Sequence, residues 1–136
     1  MKVLLSILLV FGSMALMPED TGTLTVEFEI TKYNKGKIYV ALYNSQDSFL
    51  KKPVKGTIIK VENGKATAVF EEVTTGTYAV SSFYDKNDNG KLDTNFLGIP
   101  KEPTAMSNNA KGSFGPPKFK DAKFEMTTNT TIQITY

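Results

Sequence analysis

Cysteine, histidine, tryptophan and arginine are all absent from this 136-residue chain, and each absence removes a class of chemistry. Without cysteine there are no disulfides, no thiolate metal sites and no lipid attached at an N-terminal cysteine. Without histidine as well, zinc loses its usual ligands and nucleophilic catalysis its usual base. Without arginine no planar fork can grip a phosphate at two points. Positive charge rests on 16 lysines, set against 14 acids for a net charge of +2. The charge is mild and interspersed, so nucleic acid is not an expected partner. No amphipathic helical pattern of useful length occurs either.

What is present begins with a targeting pattern. Met1-Lys2 is basic, Val3 to Phe11 is apolar apart from Ser6, and Ser13-Met14-Ala15 places small residues around a cleavage point. Residues 1–15 read as a secretory signal peptide that is removed. The competing reading is a membrane anchor or a buried strand. Val3 to Met17 spans about 15 residues, short of the roughly 20 that a spanning helix needs. The expected location is therefore periplasmic or secreted, with membrane contact only through the signal segment before cleavage. Residues 23–136 are then a single domain, large enough for a core without staples.

Alternation of apolar and polar residues dominates that domain. Leu24, Val26, Phe28 and Ile30 alternate with Thr25, Glu27 and Glu29, the period of a half-buried strand. Ile38, Val40 and Leu42 follow after Asn34-Lys35-Gly36, which makes a hairpin. Residues 57–61 and 66–70 flank Glu62-Asn63-Gly64-Lys65. Asn-Gly suits a type I′ turn that sets Glu62 opposite Lys65 and Val61 opposite Ala66. Tyr78, just after Gly76, is expected to tie its hydroxyl to nearby backbone at a sandwich edge. Phe49-Leu50 is expected to plug one end of the core. Residues 119–126 and 131–136 read as the last two strands. The expected architecture is an all-β, antiparallel β-sandwich of about seven strands.

Between residues 85 and 117 the alternation stops. Pro100, Pro103, Pro116 and Pro117 punctuate a stretch rich in asparagine and glycine. A connection this long is usually functional or disordered. Its apolar members Phe96, Leu97, Ile99, Met106 and Phe114 are expected to pack it down. It opens with Asp85-Lys86-Asn87-Asp88-Asn89-Gly90-Lys91-Leu92-Asp93, which places oxygens at positions one, three, five and nine of a loop and glycine at six. Hard cations such as calcium need six to eight oxygens and a sharp turn to gather them. The candidate ligands are Asp85, Asn87, Asn89, the carbonyl of Lys91, and Asp93. Phe96 stands where an EF-hand has its bidentate glutamate, so another oxygen must close the shell: Glu102, Asp88, a carbonyl or water. With few carboxylates, affinity near 10⁻⁴–10⁻³ M is expected. The competing reading is an ion-free loop built from Asx-turns.

Taken in succession, Gly76-Thr77-Tyr78-Ala79-Val80, the run from Asp85 to Glu102, Ser107-Asn108-Asn109-Ala110 and Phe114-Gly115-Pro116-Pro117 resemble a bacterial family of small exported proteins, domain of unknown function 2141. The resemblance covers nearly the whole mature chain from about Thr23. It implies an immunoglobulin-like or prealbumin-like sandwich and export, and no established activity.

The expected role is thus a non-catalytic, monomeric module of the cell envelope, with calcium steadying its loop and an envelope or extracellular partner of unknown identity. The alternative is a glycan or small-ligand binder using residues 95–109, with Asn95, Ser107, Asn108 and Asn109 as contacts and Tyr39 and Tyr43 as platforms. Those four polar residues equally suit a loop that must satisfy its own backbone. An enzyme ranks third, because histidine and cysteine are absent and no Gly-x-Ser-x-Gly elbow occurs.

Overall fold

The computed structural model of the chain describes residues 20–136, so the expected signal segment lies outside the described residues. Eight strands run in the order β1 (Thr21–Glu29), β2 (Lys35–Tyr43), β3 (Lys55–Glu62), β4 (Lys65–Thr74), β5 (Gly76–Asp85), β6 (Thr104–Met106), β7 (Phe124–Met126) and β8 (Thr130–Thr135). The fold is all-β, with only a 3-10 turn at Ser107–Asn109 and one helical turn, α1 (Phe119–Ala122).

Strand order is β6-β5-β2-β3-β4-β1-β8, and β7 pairs with β5. Alternation along β1 and β2 sends Leu24, Val26, Phe28, Ile38, Val40 and Leu42 into one core, joined by Val80 of β5 and Ile134 of β8. Each such side chain contributes about 1.5–3 kcal/mol on burial. The Asn63-Gly64 turn has positive φ at both residues, 52° and 75°, as a type I′ hairpin requires, and Glu62 faces Lys65. That rung is the one register pair between β3 and β4. The expected Val61–Ala66 rung does not form, because the strands splay and the sheet folds over the core at this corner. Side chains close the opposite side. The Tyr136 hydroxyl is 2.7 Å from Ser82 Oγ, and Thr135 N–H donates to Asn109 Oδ1 at 2.9 Å. The result is one mixed sheet, nearly barrel-shaped.

Two expectations need correction. The sheet is not wholly antiparallel: β8 runs parallel to β1, from Leu24↔Thr130 to Glu29↔Thr135. β7 pairs with β5, and the short turn after it carries the chain across to the β1 edge, where it arrives pointing the same way as β1. Residues 119–126 are not one strand either. Lys123 N–H bonds Phe119 O at 2.9 Å to close a helical turn, and only Phe124–Met126 pairs. Ala122 and Met126 are both buried, and positions four apart share a face in helix and strand alike, so the spacing did not distinguish them.

Other local expectations hold. The Tyr78 hydroxyl donates to Thr74 O at 2.6 Å. Phe49 is buried with Tyr43, Ala79, Met106 and Ala122 in a second, smaller cluster. Its neighbour Leu50 instead turns outward at φ 61°.

Candidate functional site

Asp85 ends β5 on the outer face, two residues beyond Phe83 and opposite Lys37, yet is only 4% exposed because its own loop folds over it. Its Oδ2 accepts Gly90 N–H at 2.8 Å and its Oδ1 accepts Asn89 N–H at 3.3 Å. Gly90 sits at φ +74°, the left-handed conformation that folds the loop back over this carboxylate. Asn87 Nδ2 donates to Asp93 at 2.7 Å, and Asn89 Nδ2 donates to both Asp93 oxygens at 2.9 and 3.0 Å. These amides, Asn89 first, hold the Asp93 carboxyl below its ordinary value. Lys91 N–H donates to Asn89 Oδ1 at 3.0 Å. The structure therefore brings Asp85, Asn87, Asn89, Lys91 and Asp93 into one tight loop whose polar groups bond one another. Glu102, buried, clamps both ends: its carboxylate accepts Lys86 N–H at 2.5 Å and Asp93 N–H at 3.0 Å. Lys37 of β2 pairs with Asp88 at 3.1 Å, and that bond raises the lysine above its ordinary value. No group of three or more acidic side chains converges as a metal cage among the described residues.

The four expected ligand contacts lie apart and are engaged with backbone. Asn95 Oδ1 accepts Leu97 and Ile99 N–H at 2.9 and 3.0 Å. Ser107 is fully buried, accepts Val80 N–H at 2.9 Å and donates to Ala122 O at 2.5 Å. Asn108 donates to the carbonyls of Asp121 and Lys123, and Asn109 accepts from Thr135. All four serve to fasten the long segment.

A different set of residues forms the concave surface. On the outer face of the sheet, Ile58, Tyr39, Phe83 and Thr104 stand side by side across β3, β2, β5 and β6. Tyr39 stacks on Phe83 with centroids 5.0 Å apart and planes 9° from parallel, an apolar plate. The next row on that face is Gly56, Ala41, Ser81 and Met106. Its three small residues leave a trough beside the plate. Over it lies the long segment, contributing Leu92, Leu97, Ile99 and Phe114. The half-open groove measures about 1520 Å³, above the roughly 300–1,000 Å³ of drug-sized sites. The Tyr43–Phe49 cluster holds one end of this sheet face, and the Lys37–Asp88 pair lies towards the other.

The apolar residues of the long segment do not pack it down as expected. Met106 is buried, but Phe96 and Phe114 are almost wholly exposed, and Leu97 and Ile99 more than half so. Prolines and Asx-turns fix the backbone without a packed core, which leaves those side chains free to line a surface. A sequence signal for the groove existed. Residues 38–43 of β2 are apolar at every position, whereas a strand with one wet face alternates. Both faces of β2 needed cover.

A family model described as an uncharacterized protein conserved in bacteria, domain of unknown function 2141, matches residues 26–134. No curated protein and no solved structure matches the chain.

Proposed function

The chain belongs to the bacterial family domain of unknown function 2141, and from that premise we propose a non-catalytic binding module that takes an apolar ligand into the groove between sheet and long loop. One observation carries this reading: a contiguous apolar concavity with a stacked aromatic floor and exposed apolar walls. Exposed patches of this kind mark binding surfaces. The groove lining holds one amine and two phenols and no carboxylate to act as a base, which favours binding over catalysis. We read the protein as exported, on its N-terminal pattern, and the folded-over sheet as kin to the immunoglobulin-like or prealbumin-like sandwich.

The test is titration with the neutral reporter N-phenyl-1-naphthylamine, using wild type and Ala41→Phe, which fills the trough from a partly buried position beside the Tyr43–Phe49 cluster. Saturable binding by wild type that the variant loses, at unchanged thermal midpoint, supports the reading. Absent binding, or equal binding by both, overturns it.

For the Asp85–Asp93 loop we propose calcium as a stabiliser. Asn87 and Asn89, at positions three and five, donate to Asp93 at nine, and Asp85 at position one accepts the backbone N–H groups of Asn89 and Gly90. Turning the Asn87 amide over exchanges nitrogen for oxygen on the inner side, while the Asn89 oxygen, which accepts Lys91 N–H at 3.0 Å, would leave that bond to meet the cation.

A further inference from the structure

We infer that the ligand of the groove is a long-chain carboxylate, its single acyl chain lying along the trough and its head group meeting Lys111. This rests on the binding reading above and names the ligand class.

Three observations point to it. The floor is the face of β2, and both edges of that strand are already paired, with β3 over 35–42 and with β5 over 37–43. Its backbone has nothing left to offer a ligand. Two of the hydroxyls nearby are committed: Ser81 Oγ donates to the Tyr43 hydroxyl at 3.3 Å and Ser82 Oγ donates to Ala105 O at 2.7 Å. An extended peptide laid here would bury amides without partners, each at a cost in free energy. An acyl chain has no such groups, and its length suits a groove larger than a compact ligand fills.

Charge settles the head group. Lys111 is the sole charged side chain in the lining, and no aspartate or glutamate lines the groove. Lys111 is exposed and takes part in no salt bridge among the described residues. The one acid between residues 94 and 118, Glu102, is buried and bound to two backbone amides. A cation therefore faces the groove uncompensated, and an anionic head group is its complement. A carboxylate on an ammonium at a half-open site is worth about tenfold in affinity, or about 1.4 kcal/mol.

The experiment displaces the bound naphthylamine reporter from the full chain with monomeric palmitate, hexadecanol or hexadecyltrimethylammonium, in wild type and Lys111→Glu. Sedimentation with phosphatidylglycerol vesicles runs in parallel. Palmitate is expected to displace at about tenfold lower concentration than hexadecanol, with the cationic amphiphile weakest, and Lys111→Glu should abolish the palmitate advantage while leaving hexadecanol unchanged. Equal displacement by palmitate and hexadecanol overturns the head-group assignment and leaves the binding reading standing. Pelleting with vesicles without displacement by monomeric palmitate overturns it in favour of docking on a bilayer surface. Failure of the reporter itself to bind overturns both readings.

Discussion

Replacing Ser107 with alanine tests whether this serine fastens the fold or serves a ligand. Its hydroxyl is fully buried between β5 and α1, accepting Val80 N–H at 2.9 Å and donating to Ala122 O at 2.5 Å. Alanine fits the space but strands a backbone donor and a backbone acceptor away from water. Each orphaned group costs about 1–3 kcal/mol, so the pair predicts a loss of about 2–6 kcal/mol. For a domain of this size that lowers the thermal midpoint by about 10 °C. The assay is urea unfolding followed by circular dichroism. The transition should move to lower urea at unchanged m, since the surface exposed on unfolding is the same. Asn108→Gly is the control: it removes caps at 3.2 and 2.8 Å on an exposed residue and suits that position's φ of 58°, so it should cost about 1 kcal/mol or less. A Ser107→Ala variant within about 0.5 kcal/mol of wild type would refute the fastening role. Reporter affinity below the midpoint should not change, because Ser107 does not line the groove.

Asp85→Ala removes the acceptor for Asn89 and Gly90 N–H and should cost about 2 kcal/mol. If calcium enters the loop, millimolar calcium raises the wild-type midpoint over excess chelator, as RT ln(1 + [L]/Kd) requires, and the variant loses the rise. No shift at calcium well above 10⁻³ M removes the metal. Asp93 titrates below its ordinary value because Asn89 and Asn87 donate to it. Its contribution is therefore complete above the unfolded carboxylate value and fades as pH falls through the depressed one. Asn89→Ala should move the Asp93 carboxyl upward in an NMR titration, and an unmoved value would count against the ring. Burial raises the Tyr136 and Tyr84 phenols, so their share of stability is lost as pH climbs above the unfolded tyrosine value. Ultraviolet titration should show these phenols ionising after the rest, and simultaneous ionisation of all six tyrosines would contradict the packing.

The legible parts of this molecule were those where local chemistry and period agree. Asn63-Gly64 dictates its turn, and alternation in β1 and β2 dictates the core face. Glycine before Tyr78 places the tyrosine at its corner. The direction of β8 was not legible, since Thr131 to Tyr136 alternates identically whether it lies parallel or antiparallel to a neighbour. The helical turn at Phe119 was hidden because Ala122 and Met126 satisfy both periods. Within the long segment, Glu102 was foreseen only as a spare oxygen for a cation, yet it clamps two backbone amides sixteen and nine residues away. Ser107, Asn108 and Asn109 carry polar groups suited equally to ligand and to backbone, and sequence holds no distance to decide between them. The groove needed knowledge that Tyr39, Phe83 and Ile58 fall in one row, which is a property of register rather than of any single strand.

The central claim is that the outer face of β2 and the long segment enclose a binding groove. Its most direct measurement is the equilibrium binding of N-phenyl-1-naphthylamine to wild type and Ala41→Phe at matched thermal stability. One saturable site in wild type, weakened at least tenfold in the variant, is the predicted result. Binding unaffected by the filled trough, or no saturable binding at all, would contradict it.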